Sequence, residues 1–345
     1  MKSAFYDKTL TVDIRDVPIP VPQAGQVLIR TVVSGVNPKD WKQPKHWAPE
    51  SPPMNHGDDI AGYVEGVGPG VTGFHRGDRV AALHELWTPH GSFAEYSVAL
   101  ANSTFHLGDS VSFEEAATVP LPAMTAALGI YQTLSLPLPW QPPKVPRPLI
   151  VYGGASAVGA YAIKFASLSN IHPIIAVAGN GIPFVESLLD PTKGDVVVDY
   201  RKGQDHVVKE MREAAGDNAA YAFDAISEKG SITAIAQVLC KDGKIATVLT
   251  PEMALKGSED PGNCQVLFTL VATVHKDPSD NSRFGNREFG AMFFPYIGLG
   301  LAQGWFSGHP YEVIEGGLGG VQKALSVLES GNNSARKLVI RINGD

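Results

Sequence analysis

The amino-acid sequence predicts an α/β protein in which a β-rich domain is interrupted by a doubly wound parallel sheet. Residues 1–118 contain short strand-like runs separated by glycine turns, as in a small barrel or sandwich. From Pro148 onward, apolar strands alternate with helical segments, a pattern typical of a parallel sheet. We therefore predict three segments, 1–118, 119–271 and 272–345, of which the third returns to the first domain.

The first domain takes its predicted strands from short apolar runs that end near Gly, Pro or Asp. These runs are Leu10–Ile14, Val27–Val33, Ile60–Gly68, Phe74–Ala82 and Gly91–Val98. A helical stretch is predicted from Glu114 to Tyr131 and bridges the two kinds of pattern. Residues 136–148 follow with six prolines, and this composition predicts a stiff excursion at the surface.

The second domain is predicted from apolar runs that are long enough for buried strands and too short for helices. The runs are Pro148–Tyr152, Ile174–Ala178, Val196–Tyr200, Ala220–Asp224, Ile245–Leu249 and Val266–Val271. Helices are expected at about 203–215 and 231–240, and later at about 286–303 and 318–330. Leu338–Ile342 then reads as a strand that rejoins the first domain.

The segment Val151–Gly159 carries a functional signal. A buried strand runs into a glycine turn, after which apolar residues recur at helical spacing. Gly154 and Gly159 fill the first and third positions of a G-x-G-x-x-G pattern, whereas Ser156 stands at the second. Such a turn is where a dinucleotide pyrophosphate rests on a helix N-terminus. The expected pyrophosphate contacts are Ser156, Ala157 and Val158.

The strand after this turn indicates which dinucleotide is bound. An NAD site places Asp or Glu about 20 residues after the glycines, where the carboxylate holds the ribose hydroxyls. Here Ala178 is followed by glycine and asparagine, and the first acid is Glu186. Because no carboxylate would repel a 2′-phosphate, the sequence favours NADPH over NADH. The expected neighbours of that phosphate are Gly179, Asn180 and Tyr200, with Lys193 and Arg201 as charge partners.

Composition and charge exclude other classes of protein. The 345 residues include 28 Lys and Arg against 35 Asp and Glu, a net charge of −7, and the absence of a basic cluster argues against nucleic-acid binding. Cys240 and Cys264, the only cysteines, support neither a disulfide framework nor a four-cysteine zinc site. The sequence shows no secretory signal and no stretch long enough to span a membrane. We expect a soluble cytoplasmic enzyme.

Three blocks relate the chain to a known superfamily. They are Gly35–Trp41, Gly57–Gly62 continued by Arg76–Val80, and the glycine turn. Through these blocks the chain resembles the medium-chain dehydrogenase/reductase superfamily over essentially its whole length. The resemblance implies a GroES-like catalytic domain with an inserted Rossmann cofactor domain.

A closer similarity is to the fungal trans-acting enoyl reductases that partner polyketide synthases, and quinone oxidoreductases are also similar. The segments that suggest this subgroup are Asn37–Lys42, Leu136–Pro139 and Gly316–Val321.

The resemblance also bears on metal binding. Zinc-dependent members of the superfamily carry a Cys in the first block and a His in a Gly-His-Glu block, whereas this chain has Asn37 near the first position and Asp58 at the second. Asp58, Asp59, His56 and His84 form an oxygen-rich group that suits harder metals than zinc. We predict no bound metal. Reduction of a conjugated C=C bond then fits better than alcohol oxidation, because hydride at the β-carbon spreads charge into an enolate.

The resemblance implies nicotinamide contacts from the first block, two strand ends and the helix between the domains. They are Asn37, Pro38, Lys39, Asp40, Thr125, Val248, Leu249, Leu338 and Val339. The catalytic candidates are Lys42, which would support an oxyanion or contact a phosphopantetheine, and Thr125, whose hydroxyl would hold the nicotinamide amide or the substrate carbonyl. The substrate-binding candidates are Trp41, Pro120, Met124, Phe268, Leu270 and Phe293, with Phe294 beside them and with His84, Trp87 and His90 at the entrance.

The predicted function is NADPH-dependent, zinc-independent reduction of the C=C bond of an α,β-unsaturated carbonyl substrate of enoyl or polyketide type, in fungal secondary metabolism. Two alternatives stay open: an NADPH quinone or small-enone reductase, and an NADPH-binding accessory, cyclase-like or lyase-like protein. The expected partners are a small or carrier-bound enoyl substrate and a polyketide synthase, and neither nucleic acid nor membrane. Monomer and homodimer also stay open, because Ile232–Leu239 and Val266–Val271 offer an edge for pairing subunits.

Overall fold

A computed structural model describes residues 1–256, 259–277, 279 and 285–343. The chain divides into two compact units, the first made of Met1–Met124 with Ala272–Asp345 and the second of Thr125–Val271. Residues 119–124 thus lie in the first unit and not, as predicted, in the inserted domain. The physical reason is a contact within the first unit, because the backbone N–H of Leu121 donates to the Asp59 carboxylate at 2.6 Å.

The early part of the first unit is built from antiparallel strands. The strands are β1 (Lys2–Phe5), β2 (Asp13–Asp16), β3 (Gln26–Gly35), β4 (Asp59–Val67), β5 (Arg79–Leu83), β6 (Tyr96–Leu100) and β7 (Thr104–His106). The helices are α1 (Pro38–Lys42), α2 (Phe113–Ala116) and α3 (Pro120–Ala127), the last of which runs across the boundary of the units. β3 pairs with β4 and β6 and forms the apolar centre of this sheet.

The single helix predicted from Glu114 to Tyr131 is wrong. The chain leaves α2 after Ala116 and starts α3 at Pro120, because a residue that precedes proline disfavours the helical conformation. After Ala127 the backbone continues as a π-helix over Leu128–Thr133. Gly129 packs directly against Phe223, whose ring lies 2.0 Å from where a Cβ at this position would be.

The second unit contains a parallel sheet in the order β10-β9-β8-β11-β12-β13. Its strands are β8 (Leu149–Tyr152), β9 (Ile174–Ala178), β10 (Val196–Asp199), β11 (Tyr221–Asp224), β12 (Lys244–Thr247) and β13 (Gln265–Phe268). Its helices are α4 (Ala157–Leu168), α5 (Ile182–Glu186), α6 (Gln204–Ala215), α7 (Ser231–Ala236) and α8 (Pro251–Ala254). This strand order is that of dinucleotide-binding doubly wound sheets, so the predicted fold class is confirmed.

The later part of the first unit returns to its sheet. It contains α9 (Arg287–Gln303), β14 (Tyr311–Val313), α10 (Gly320–Ser330) and β15 (Lys337–Arg341). β15 lies antiparallel to β3, with Val339 opposite Gly35, and parallel to β14. The prediction that the final strand rejoins the first domain is therefore confirmed. Of the described helices, including α9 with its 17 residues, none is long and apolar enough to cross a membrane.

Candidate functional site

The first unit holds a buried group of charged side chains directly after β3. Asn37 is the N-cap of α1, Pro38 is its first residue, and the backbone N–H of Asn37 donates to Asp40 Oδ2 at 2.8 Å. This is the arrangement that satisfies the free N–H groups at a helix start. We call the complete group the ionic cluster. Its members are Asn37, Lys39, Asp40, Asp58, Asp59 and Lys337.

The Lys39 ammonium forms one half of the ionic cluster. Its Nζ lies 2.5 Å from Asp58 Oδ2 and 3.1 Å from Asp40 Oδ1, and it donates to the carbonyl of His56 at 2.5 Å. The Lys39 side chain is 12% exposed, whereas Asp40 and Asp58 are sealed from water. This ammonium therefore stands between two carboxylates that would otherwise repel each other.

Burial shifts the pKa values of the groups in this half of the ionic cluster. It raises the pKa of Asp40 to about 7 and that of Asp58 to about 6, although the Lys39 charge opposes both shifts. Burial lowers the pKa of Lys39, but the two carboxylates outweigh it and the net shift is upward. Burial and the same ammonium lower the pKa of His56 to about 4. At neutral pH Lys39 is therefore charged and His56 is neutral.

The Lys337 ammonium forms the other half. Its Nζ lies 2.8 Å from Asp59 Oδ2 and donates to Asn37 Oδ1 at 2.5 Å. The Asn37 amide in turn donates to Asp59 Oδ2 at 2.7 Å. The side chain of Lys337 is 3% exposed and that of Asp59 is fully buried.

In the second unit, the glycine turn joins β8 to α4. Gly153 has φ +81°, and a Cβ on Gly159 would lie 2.3 Å from the carbonyl oxygen of Gly153. Ser156 is the N-cap of α4, and its Oγ accepts from the N–H of Gly159 at 3.0 Å. In the first helical turn, Ala157 and Val158 have N–H groups without partners inside the helix, and both residues are partly exposed. These groups suit a pyrophosphate.

A second group of predicted residues meets at the carboxyl ends of β9 and β10. The Tyr200 ring lies over Gly179, where a Cβ would be 2.6 Å from ring carbons. Arg201 Nη1 donates to Asn180 Oδ1 at 2.9 Å, and its Nε and Nη2 bind the Asp199 carboxylate at 2.8 and 2.7 Å. The hydrogen bonds from Arg201 lower the pKa of Asp199 to about 2. A guanidinium is thus fixed beside Asn180 and Tyr200.

Lys193 does not join this group, and its predicted role as a charge partner is wrong for this conformation. It precedes β10 at the opposite end of the strand, where its Nζ donates to Asn170 Oδ1 at 3.1 Å. Because Lys193 precedes β10 and Arg201 follows it, the two residues lie at opposite ends of this strand.

The chain is similar in sequence to proteins of known family. Residues 23–112 match the family profile of the alcohol dehydrogenase GroES-like domain. The trans-enoyl reductase fsr4 of Gibberella fujikuroi is 43% identical over 320 residues, which cover 92% of this chain and 91% of that protein. The chain belongs to the trans-enoyl reductase family, within the medium-chain dehydrogenase/reductase superfamily.

Other known proteins are similar to this chain in sequence or in fold. The enoyl reductase component lovC of the lovastatin nonaketide synthase of Aspergillus terreus is 28% identical over 95% of this chain and 92% of that protein. The solved structure of an alcohol dehydrogenase superfamily protein from Novosphingobium aromaticivorans has a TM-score of 0.80 at 21% identity, over 99% of this chain and 100% of that one. This trans-enoyl reductase is therefore an oxidoreductase of the enoyl reductase type, and enoyl reductases of its superfamily bind nicotinamide cofactors.

The trans-enoyl reductase buries several side chains that were predicted to contact the nicotinamide. Leu338 and Val339 are fully buried in β15, and Leu249 packs into the core of the second unit. Their side chains are thus used inside the units, and the carbonyls of Leu338 and Val339 accept from the N–H groups of Val36 at 2.9 Å and Ile314 at 2.8 Å. Val248 is partly exposed, and its N–H is held by Ser227 Oγ at 3.1 Å.

The catalytic candidates lie on different elements. Lys42 ends α1, with its Nζ 5.9 Å from the centre of the Trp41 ring, and both side chains are partly exposed. Thr125 lies in α3 and is 6% exposed. Pro120 starts the same helix, and Met124 is fully buried there.

The aromatic substrate candidates divide into packing residues and half-exposed ones. Phe294 is fully buried against Phe105, with ring centres 5.9 Å apart, which indicates a core role. Phe293 is 2% exposed and stacks on Phe289 at 4.6 Å. Phe268 and Leu270, by contrast, are half-buried at the end of β13 and just after it.

The entrance candidates lie in one loop after β5. His84 is buried, with Nδ1 2.7 Å from the carbonyl of Val98, whereas Trp87 is 53% exposed and His90 is also exposed. The His84 side chain therefore holds the loop after β5 against the Val98 backbone.

The ionic cluster does not fit a zinc ion. In the part of the chain that the structure describes, no three His, Cys, Asp or Glu side chains are grouped to hold a metal. Asp58 is engaged by the Lys39 ammonium, and Asn37 by Asp59 and Lys337. A divalent cation would have to displace an ammonium from each half. The ion pair of Lys39 and the whole role of Lys337 were not predicted from the sequence. The one signal for Lys337 there is a lysine directly before the apolar run Leu338–Ile340.

Proposed function

We propose that this trans-enoyl reductase uses NADPH to reduce the C=C bond of an α,β-unsaturated acyl group, without a metal ion. The observation that carries the metal-free part is the Lys39 ammonium, 2.5 Å from the carboxylate of Asp58. The reaction itself is supported by membership of the trans-enoyl reductase family through the 43% identical relative.

The chemistry of a conjugated substrate is consistent with a site that has no Lewis acid. The bound nicotinamide would supply the hydride. Negative charge then develops on the carbonyl oxygen, where a hydrogen-bond donor stabilises it. A proton taken from water at the α-carbon would complete the reduction. The Thr125 hydroxyl and the Lys42 ammonium are the proposed donors, and the backbone of Asn37–Asp40 with Val248 would orient the reacting groups. Trp41, Pro120, Met124, Phe268, Leu270 and Phe293 remain the proposed acyl contacts.

The choice of NADPH rests on the carboxyl ends of β9 and β10. The residues that would hold the adenosine 2′-phosphate are Gly179, Asn180, Tyr200 and Arg201. Arg201 is already oriented by Asp199 and Asn180, so little side-chain freedom would be lost when the phosphate binds. Ser156, Ala157 and Val158 would hold the pyrophosphate.

We further propose that the substrate is carried by a polyketide synthase in fungal secondary metabolism and that the reaction is cytoplasmic. Support comes from the relative named as the enoyl reductase component of a nonaketide synthase. A quinone or small-enone reductase and a non-reductive accessory protein are the outcomes against which this proposal is tested.

The test begins with protein dialysed against EDTA and checked for metal by mass spectrometry. NADPH and NADH are titrated separately, and the decay of absorbance at 340 nm is then followed with enoyl thioesters, simple enones and quinones. We expect tighter NADPH binding and fastest decay with enoyl thioesters. Preference for quinones would replace the substrate assignment, binding without decay would refute reductase activity, and activity that returns only with zinc would refute the metal-free site.

A further inference from the structure

Lys337 is a charged residue that the proposed chemistry does not use, yet it lies in the interior of the first unit. It is the first residue of β15, and its ammonium reaches Asp59 at 2.8 Å and the amide oxygen of Asn37 at 2.5 Å. A lysine that is 3% exposed is rare unless it is paired. Two acceptors, a carboxylate and an amide oxygen, face the ammonium here.

Asp59 extends this pair to two further segments. Its Oδ2 accepts from the Asn37 amide at 2.7 Å, and its Oδ1 accepts from the N–H of Leu121 at 2.6 Å. Leu121 is the second residue of α3, the helix that continues to Met124 and Thr125. One ion pair therefore connects β15, β4, the start of α1 and the start of α3.

The amide of Asn37 is held in one orientation by this arrangement. Lys337 can only donate, so it must face the amide oxygen, and Asp59 can only accept when ionised, so it must face the amide nitrogen. Exchange of the amide nitrogen and oxygen would break both contacts. The side chain that begins the predicted nicotinamide-binding block is thus fixed by charges on both sides.

Gly35 shows that the interior accommodates this lysine closely. A Cβ at Gly35 would lie 2.2 Å from the carbonyl oxygen of Ala117, 2.9 Å from Lys337 Cε and 3.0 Å from Asp59 Cβ. Any larger residue at this position would push against both members of the pair. The glycine of the first sequence block therefore gives the lysine stem its path.

We propose that Lys337 is a positioning residue for the reduction, acting through Asp59 and Asn37 to align the segments that meet the nicotinamide and the acyl group. The inference rests on the proposed function, in which the backbone of Asn37–Asp40 orients the reacting groups and the Thr125 hydroxyl donates to the substrate carbonyl. Lys337 itself touches neither substrate nor cofactor. Its ammonium sets the relative position of α1 and α3, which carry the proposed contacts.

The test compares the variants K337M, D59N and K337M/D59N with the wild type. Removal of one partner leaves an unpaired buried charge and lowers stability, whereas removal of both charges restores much of it. We expect the double variant to unfold at a higher urea midpoint than either single variant but below the wild type, because D59N keeps only one of the two oxygens that accept from the Asn37 amide and the Leu121 N–H. It should bind NADPH within twofold of the wild-type Kd. Its kcat should stay at least tenfold lower. The fluorescence of bound NADPH, which reports the surroundings of the reduced nicotinamide, should move toward that of free NADPH.

A matched control is K8M, which removes a lysine from the exposed pair Lys8–Glu50 and should change none of these quantities. A double variant with wild-type stability, kcat and NADPH fluorescence would overturn the positioning role and leave a purely structural pair. Wild-type protein that binds NADPH without reducing any enoyl thioester would instead refute the proposed function, and the fluorescence comparison would still decide the role of Lys337.

Discussion

The two units of this trans-enoyl reductase prepare their functional segments by different physical means. The first unit uses buried charges, with Lys39 and Lys337 holding Asp40, Asp58 and Asp59. The second uses backbone geometry, with Gly153 at φ +81° and with Gly159 packed against its carbonyl. A dinucleotide needs backbone N–H groups at close range, which glycine allows. Alignment of segments distant in sequence needs interactions that reach farther, and buried ion pairs provide them.

The largest expected effect on NADPH binding comes from Gly159→Ala, which changes the backbone of the glycine turn directly. The added Cβ would lie 2.3 Å from the Gly153 carbonyl oxygen, so the turn must move. We expect NADPH binding to be lost and the second unit to lose about 3 kcal/mol of stability. Calorimetric titration and urea unfolding measure both. The control is Gly73→Ala, since no atom lies within 4 Å of its added Cβ; equal effects in both variants would contradict the role of the turn.

Lys39→Met tests whether the buried charges stabilise the first unit. At pH 8 it leaves Asp40 and Asp58 without their shared cation, and the loss of a partner from a buried pair costs about 3–5 kcal/mol. Urea unfolding should show this loss, and K39M/D58N should recover part of it. A K39M protein as stable as the exposed-lysine variant K8M would show that the ionic cluster does not stabilise the unit.

Arg201→Gln tests whether, in the second unit, a charged side chain adds a preference for NADPH over NADH to the binding by backbone groups. Because charge-assisted bonds to phosphate would be lost, the Kd for NADPH should rise about tenfold while that for NADH stays within twofold. The matched control is Lys193→Gln at the other end of the strand, which should change neither constant. Equal losses for both cofactors after Arg201→Gln would remove the 2′-phosphate assignment.

The most gradual expected effect is a pH dependence of stability from the first unit. The folded pKa of Asp40 is raised to about 7, so between about pH 4 and pH 7 the folded state binds more protons than the unfolded state. Its contribution to the free energy of unfolding therefore falls as the pH rises through this window and is constant above it. The difference between wild type and D40N, measured by urea unfolding from pH 4.5 to 8, isolates this term. A difference that is independent of pH would contradict the raised pKa.

The sequence could predict the parallel sheet because each of its strands is a local signal. Apolar runs such as Ile174–Ala178 must be buried, and their alternation with helices leaves few topologies. The helix break before Pro120 could also have been predicted from the proline, although a single helix was predicted there. The ionic cluster was not, because the pairing of Lys337 with Asp59 has no periodicity and joins residues far apart in the chain. The sequence gives the charge of Lys39, but the carboxylates that its side chain contacts could not be predicted from it.

The position of β15 between β14 and β3 has a consequence for synthesis of the protein. The second unit is one continuous stretch, Thr125–Val271, and can fold as soon as it leaves the ribosome. The first unit cannot, since β3 is made early and pairs with Val339. Its sheet edge near Gly35 is therefore open while the whole inserted unit is translated. Chaperones that shield sheet edges should bind nascent chains of intermediate length and release them once β15 emerges.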